Sequence, residues 1–235
     1  MERLDRILAS QGVGSRSEVQ RLIRSGRVTV NGSLCRSPAE KVEAEKAEIA
    51  VDGRPLRYQK HVYIMLHKPP GILCVSRDPK VPTVIDLLPP ELKRRGLFPA
   101  GRLDKDTTGL LLISDDGVLA HRLLTPSRHV RKGYEATLLK EIDDAQVMAL
   151  TTGIDLGDFT TMPAEVQLID AHRVRLYICE GKFHQVKRMF HAVGNEVTAL
   201  HRFSFGPLSL GDLPQGEWRP LRTEEIEELK EVSRP

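Results

Sequence analysis

Apolar residues in the first part of the chain recur at a spacing that predicts two short helices. One helical pattern lies within residues 4–8 and a second within residues 19–23. Ser15 and Glu18 have the spacing of a capping box at the start of the second helix, and Gly26 is a suitable stop. The second helix would bury one apolar face and carry arginine side chains on another.

Short alternating segments then predict strands joined by tight turns. Residues 28–30 alternate up to Asn31-Gly32, and residues 49–51 alternate up to Asp52-Gly53. The module ends near Leu56, and the polar residues 57–61 are predicted to form a linker. The chain is therefore predicted to contain a small α/β domain over residues 1–56 and a second domain over residues 62–235.

The second domain contains more strand patterns than helix patterns, and the two kinds do not alternate regularly. This order favours an α+β fold with a mixed, mainly antiparallel sheet flanked by helices over a doubly wound parallel sheet. The strand patterns cover 62–66, 110–113, 134–139, 164–169 and 173–179, and the helical patterns cover 115–124, 143–151, 184–193 and 222–231.

Charge is distributed unevenly along the 235 residues. The net charge of the whole chain is only +3, but residues 1–36 hold seven arginine residues against three acidic residues, a net charge of +4. Such a segment suits a polyanion, although an ordinary solvated surface is an equally good explanation. Three distant cysteines without a CxxC pair favour a reducing cytoplasm, and no apolar run of about 20 residues predicts a membrane span.

Polar residues concentrate in the segment from Gly101 to Leu111, directly before a strand-like apolar run. Asp104 and Asp106 in this segment could be a catalytic pair, metal ligands or caps for the loop backbone. Metal binding is the weakest of these, because neither further carboxylates nor nearby His or Cys residues complete a ligand set. The residues alone leave the other two explanations open.

A second polar segment runs from Glu180 to Phe190 and opens a predicted helix after a glycine. Free N–H groups at a helix start, together with Lys187 and Arg188, suit an anionic ligand, although an exposed basic helix face explains them too. No phosphate-loop, dinucleotide, serine-hydrolase or zinc-protease motif occurs in the sequence. A carboxylate-centred reaction remains after these exclusions.

Four motifs in order resemble those of pseudouridine synthases, within the group that modifies small-subunit ribosomal RNA. The N-terminal module is similar to the RNA-binding domain first named for ribosomal protein S4, and its most distinctive string is Gly26-Arg27-Val28-Thr29-Val30-Asn31-Gly32. The four motifs of the second domain are Lys68-Pro69-Pro70-Gly71, Gly101 through Leu110, Lys132-Gly133-Tyr134, and Glu180 through Arg188.

The resemblance implies an isomerase that detaches uracil through N1 and reattaches it through C5, with no cofactor and no metal. Asp104 would be the catalytic carboxylate, Tyr134 would pack against the target base, and Lys187 would pair with Asp104. An ammonium within about 4–6 Å favours the ionised carboxylate, and tyrosine offers a flat face to a flipped base. Asp106 is assigned only a supporting role in the loop. RNA contacts are expected from Arg102, Lys68, Arg188, Arg3, Arg16, Arg24 and Arg27.

The resemblance favours 16S ribosomal RNA, free or in an assembling small subunit, as the partner of a monomeric enzyme. Two alternatives are a pseudouridine synthase of 23S ribosomal RNA and a non-catalytic ribosome-assembly factor that only binds RNA. A glycosidase with Asp104 and Asp106 as acid and base would need a carboxylate spacing that two loop residues do not guarantee. The point of attack, at C6, at C1′ or on the C2′ proton, stays open.

Overall fold

The computed structural model describes residues 1–93 and 96–234. The described residues divide into two compact units, one formed by residues 1–62, 88–93 and 96–97 and the other by residues 63–87 and 98–234. Residues 88–93 and 96–97 belong to the first unit, in which Glu91 lies next to Gly12. The sequence predicts these residues in the second domain. The domain boundaries read from the sequence stay predictions. No described helix is long and apolar enough to span a bilayer.

The first unit builds a small α/β core from short elements. Its second helix begins with the predicted capping box, in which Ser15 and Glu18 bind each other's backbone N–H groups. The two predicted turns have positive φ angles at Asn31-Gly32 and Asp52-Gly53, as tight hairpin turns require. The helices are α1 (Leu4–Ser10), α2 (Arg16–Arg24) and α3 (Pro90–Lys93), and the strands are β1 (Glu2–Arg3), β2 (Val28–Val30), β3 (Ser33–Cys35), β4 (Lys41–Val42), β5 (Ile49–Val51) and β6 (Arg54–Pro55).

Apolar side chains from both main helices and the strands close the core of this unit. Leu4, Ile7 and Leu8 of α1 and Ile23 of α2 are fully buried against Val28 of β2. The strands pair in the order β3-β2-β5-β6, and β1 pairs separately with β4. The arginine side chains of α2 consequently lie on the face away from this core.

The second unit is built on a mixed sheet, and the predicted α+β class is confirmed. Its strands follow the order β11-β12-β10-β13-β9-β7-β15, with β14 paired to β13 and β8 paired to β9. Among the described strand pairs, only β13 and β9 run parallel. The strands are β7 (Tyr63–Lys68), β8 (Phe98–Pro99), β9 (Thr108–Ser114), β10 (Lys132–Leu138), β11 (Glu165–Leu168), β12 (Arg173–Ile178), β13 (Val197–Phe205), β14 (Leu208–Ser209) and β15 (Trp218–Pro220).

Helices flank this sheet where the helical patterns predicted them. They are α4 (Gly117–Leu124), α5 (Asp144–Thr152), α6 (Gln185–Ala192) and α7 (Thr223–Val232), with a 3₁₀ turn at Pro126–Arg128. Met65, Leu110, Leu112, Leu123 and Phe205 belong to one buried cluster between the sheet and the helices. The strand β13, which carries Phe205 and lies near the middle of the sheet, was not predicted.

Candidate active site

Three segments of the second unit come together around the polar loop at residues 101–107. The loop leads into β9, Tyr134 lies on β10, and α6 follows a turn after β12. Strand β13 joins the first two segments, because Arg202 of β13 is the register partner of both Gly109 on β9 and Tyr134 on β10. The sheet therefore brings the loop and the tyrosine motif to one place.

Gly109 shows why a glycine ends the loop motif. Its φ of 111° lies in a region that favours glycine, and a Cβ there would come within 2.2 to 2.8 Å of backbone atoms of Arg202. Any side chain at this position would push β9 away from β13. The two strands can approach in parallel at this point only because the residue is glycine.

Asp104 lies in this loop with its side chain partly open to solvent. Its side chain is 25% exposed, Nε2 of His184 lies 3.5 Å from Oδ1, and Nζ of Lys187 lies 3.8 Å from Oδ2. Lys187 therefore places a positive charge beside this carboxylate. The contact between His184 and Asp104 was not predicted, because the two residues are 80 positions apart and no short-range pattern links them.

Lys187 contacts both aspartates of the loop, but not equally. Its Nζ donates hydrogen bonds of 2.8 and 2.7 Å to the two carboxylate oxygens of Asp106 and forms only a longer ion pair with Asp104. The hydrogen-bonded ammonium lowers the pKa of Asp106. Asp106 was expected only to support the loop, and its hydrogen bonds with Lys187 were not predicted.

Tyr134 is buried and lines a small cavity together with the loop. The cavity has a volume of about 50 Å³, and its lining includes Arg102, Asp104, Thr107 and Tyr134. Thr107 is 1% exposed, and its hydroxyl has no hydrogen-bond partner among the described residues. The cavity therefore combines an aromatic wall, a carboxylate and an unsatisfied hydroxyl.

Lys68 does not lie where an RNA contact would require it. The side chain is fully buried, and Nζ donates to the carbonyl oxygens of Pro69, Lys105 and Thr107 at 3.0–3.1 Å. Burial lowers the pKa of this lysine. The ammonium of Lys68 is shielded from solvent and is hydrogen-bonded to backbone carbonyl oxygens of the loop. This burial corrects the predicted contact of Lys68 with RNA.

A wider groove adjoins the small cavity and carries several cations. Its volume is about 670 Å³, and both spaces are lined by Arg102 and Asp104. Lys132 at the groove wall donates to the carbonyl oxygens of Val130 and Cys179, and burial lowers its pKa to about 8. The remaining basic side chains of the groove are Lys105, Lys182 and His184.

The other predicted RNA-binding residues are distributed over both units. Arg188 forms an ion pair with Asp158 and donates to the carbonyl oxygen of Leu156 at 3.0 Å. In the first unit, Arg3 is hydrogen-bonded to Asp5 and lowers the pKa of that carboxyl to about 2. Arg16 lies 3.9 Å from Asp5, Arg27 pairs with Asp52, and Arg24 is exposed on α2.

No three His, Cys, Asp or Glu side chains within residues 1–93 and 96–234 come close enough together to hold a metal ion. The carboxylates of the loop instead face cations of the protein itself. The chemistry available at this site is that of a carboxylate beside an aromatic wall and a basic groove.

Comparison with known proteins identifies the family. The model of the RNA pseudouridylate synthase family matches residues 62–192, and the model of the S4 domain matches residues 2–49. This chain belongs to the RNA pseudouridylate synthase family. Pseudouridine synthases are isomerases, so the sequence-based assignment of the chain to an isomerase family is confirmed.

Individual members of the family resemble the chain over nearly its full length. An uncharacterized RNA pseudouridine synthase of Bacillus subtilis, YtzG, is 45% identical, covering 97% of this chain and 98% of its own. The ribosomal small subunit pseudouridine synthase A of Escherichia coli K12 is 44% identical, with 95% and 98% covered. A crystal structure of a pseudouridylate synthase is 38% identical and covers 97% of this chain and 100% of its own, with a TM-score of 0.69.

Proposed function

We propose that this protein converts a specific uridine of 16S ribosomal RNA to pseudouridine, with Asp104 as the catalytic carboxylate. The observation that carries the proposal is the placement of Asp104 in one small cavity with the buried Tyr134. The choice of 16S RNA is supported by relatives at 44% identity that are named ribosomal small subunit pseudouridine synthase A.

In this reaction the ribose carbon C1′ exchanges its bond to one uracil atom for a bond to another atom of the same uracil. The bond between C1′ and N1 of uracil breaks, a bond between C1′ and C5 forms, the C5 proton leaves, and N1 gains a proton. Atoms and electrons balance without an oxidant or reductant, so the proposal includes no cofactor. The protein must supply an ionised carboxylate and hold the base out of its stack.

The contacts of the site suit these two tasks. Lys187 and His184 lie within 4 Å of the Asp104 carboxylate, and the Lys187 ammonium places a positive charge beside it. Tyr134 gives the flipped uracil a flat wall, and stacking on an aromatic side chain contributes about 1–3 kcal/mol per base. Arg102 lies two residues before Asp104 and lines both the cavity and the groove, so it is proposed to contact the RNA backbone there.

The N-terminal unit is proposed to bind ribosomal RNA through its exposed arginine residues. Arg24 is the best candidate, since it is exposed and α2 buries its opposite face. Arg24→Gln should reduce the slope of log K against log salt by about 0.7–0.9, the contribution of one phosphate contact. An unchanged slope would remove Arg24 from the interface. We further propose that the protein acts as a monomer, in the cytoplasm, on RNA that is free or already in an assembling small subunit.

The catalytic part of the proposal is tested with Asp104→Asn. Tritium release from C5-labelled uridine in 16S transcripts should be abolished, while RNA affinity stays close to that of the wild type. Asp212→Asn, at an exposed aspartate that does not line the cavity or the groove, is the matched control and should keep full activity. Turnover by Asp104→Asn near the control rate would contradict the assignment.

The substrate is tested by mapping pseudouridine in ribosomal RNA from cells that lack the protein. A single missing pseudouridine in 16S RNA is expected, and its return on expression of the wild type but not Asp104→Asn would identify the position. Loss in 23S RNA would replace the proposed substrate. No loss in either RNA, with ribosome assembly impaired, would favour the non-catalytic assembly factor.

A further inference from the structure

A large apolar side chain is exposed at the wall of the catalytic groove. Phe183 is 68% exposed, although it lines the same groove as Asp104 and Arg102. It belongs to the turn that precedes α6 and does not contribute to the buried core. A single exposed apolar side chain is ordinary on a protein surface, so the significance of Phe183 comes from its place in the groove beside Asp104 and from its stacking partner.

One face of the Phe183 ring is in contact with a neighbouring aromatic ring. It stacks on the ring of His184, with the centroids 3.8 Å apart and an angle of 19° between the planes. His184 has a φ of 49°, a left-handed conformation that is uncommon outside glycine and tends to occur at functional sites. Because Phe183 is mostly exposed, the ring face away from His184 is open.

The stacked pair is connected directly to the proposed catalytic carboxylate. Nε2 of His184 lies 3.5 Å from Oδ1 of Asp104, so His184 contacts both the Phe183 ring and the carboxylate. The cavity beside Tyr134, about 50 Å³, is far smaller than the groove of about 670 Å³ in which Phe183 lies. The groove has room for RNA beyond the flipped base.

The charge of the groove identifies the kind of partner. Arg102, Lys105, Lys132 and Lys182 line it together with Phe183, whereas Asp104 supplies its acidic side chain. Cations that follow a phosphate backbone, combined with an aromatic face, are the combination that binds unpaired nucleotides. An apolar protein segment would not need these cations.

We propose that Phe183, supported by His184, is a stacking platform for an unpaired base that neighbours the target uridine. This inference rests on the proposed function and extends it to a second nucleotide. The platform holds the RNA strand next to the flipped base, whereas Tyr134 contacts the flipped base itself. Its proposed contribution is to substrate binding.

The experiment compares Phe183→Ala, Phe183→Leu and Phe183→Trp with the wild type. Affinity for a fluorescein-labelled, single-stranded oligouridylate should fall about 5- to 150-fold in the alanine and leucine variants, the range measured for loss of one stacked base. The tryptophan variant should bind at least as well as the wild type. Met148→Ala, at an exposed apolar residue of α5 outside the groove, should change nothing.

Turnover on the 16S transcript gives the second readout. The alanine variant should show a raised KM and a kcat close to that of the wild type. Wild-type affinity in the alanine variant would overturn the platform, and so would full recovery by leucine, which is apolar but has no ring. A lowered kcat with an unchanged KM would also overturn it, because Phe183 would then act on Asp104 through His184.

The proposed isomerase function and the proposed Phe183 platform can be refuted independently of each other. If the wild type forms no pseudouridine in any ribosomal RNA, the proposed function is wrong, and the oligouridylate measurement still decides the platform. If the wild type isomerises 16S RNA while all Phe183 variants bind and react like it, only the platform is wrong.

Discussion

Replacing Lys68 with methionine should disorganise the loop that carries Asp104 without removing an RNA contact. The buried ammonium donates three hydrogen bonds to carbonyl oxygens, two of which belong to Lys105 and Thr107 in the loop itself. Methionine retains an unbranched apolar stem and removes only the charge and the donors. The substitution therefore tests the ammonium rather than the volume of the side chain.

The expected magnitude follows from two opposing contributions. A hydrogen bond from a charged group contributes about 1.5–3 kcal/mol, so three of them give roughly 5–9 kcal/mol. Desolvation of a buried ion costs several kcal/mol, and the lowered pKa of Lys68 shows that this cost is present. We expect the free energy of unfolding to fall by about 2–4 kcal/mol. A shift of Asp104 by about 1 Å would reduce turnover about 100-fold.

Urea denaturation, tritium release and the salt dependence of RNA binding together measure the effects of Lys68→Met. Stability and turnover should fall, while the salt slope stays that of the wild type. Lys105→Met, an exposed lysine of the same loop, is the control and should leave stability unchanged. If Lys68→Met is as stable and active as the wild type but its salt slope is shallower by about 0.7–0.9, the lysine contacts phosphate and the reasoning is wrong.

Three further predictions follow from the charges and hydroxyls around the site. Lys187→Met should raise the pKa of Asp106 toward its ordinary value and lower turnover, which carboxyl NMR titration and tritium release measure; an unmoved Asp106 pKa would contradict the pairing. Lys132 loses its proton near pH 8 when folded and near 10.5 when unfolded, so the unfolded chain binds more protons between these values. Stability should rise by about 3 kcal/mol across that window in the wild type relative to Lys132→Met, and equal pH profiles in urea denaturation would refute this. Thr107→Val removes a buried hydroxyl that has no partner within the described residues, so stability should not fall. A lower Tm for this variant would show that the hydroxyl is hydrogen-bonded.

Strand β13 is a part of the fold that could not be predicted from the sequence. Arg202 occupies a buried position on this strand, where an apolar residue would have completed the alternation. Its Nε donates to the carbonyl oxygen of Leu110 and the guanidinium lies over the ring of Phe205, while Nη2 has no hydrogen-bond partner among the described residues. Leu110 is distant in the sequence, so no local pattern could show that an arginine would be buried there.

Interactions between residues close together in the sequence determined much of the remaining architecture. The capping box of Ser15 and Glu18 and the Asn-Gly and Asp-Gly turns act through residues within three or four positions of one another, and each formed as predicted. The apolar run of β9 likewise predicted a buried strand. The motif order was enough to indicate the family and to single out Asp104, Tyr134 and Lys187 as candidates.

Tertiary structure decided which of those residues meet and what each can do. It gave the hydrogen bonds of Lys187 to Asp106, placed His184 beside Asp104, and buried the ammonium of Lys68 against backbone carbonyls of the loop. It also gave the reason for Gly109, whose missing side chain lets β9 approach β13. These partners are separated by up to about 90 residues, and their distances depend on sheet order and register. The sequence alone determined the local elements and the kind of chemistry, because both depend on residues close together in the chain, whereas the partners of each charge are set only when distant segments pack.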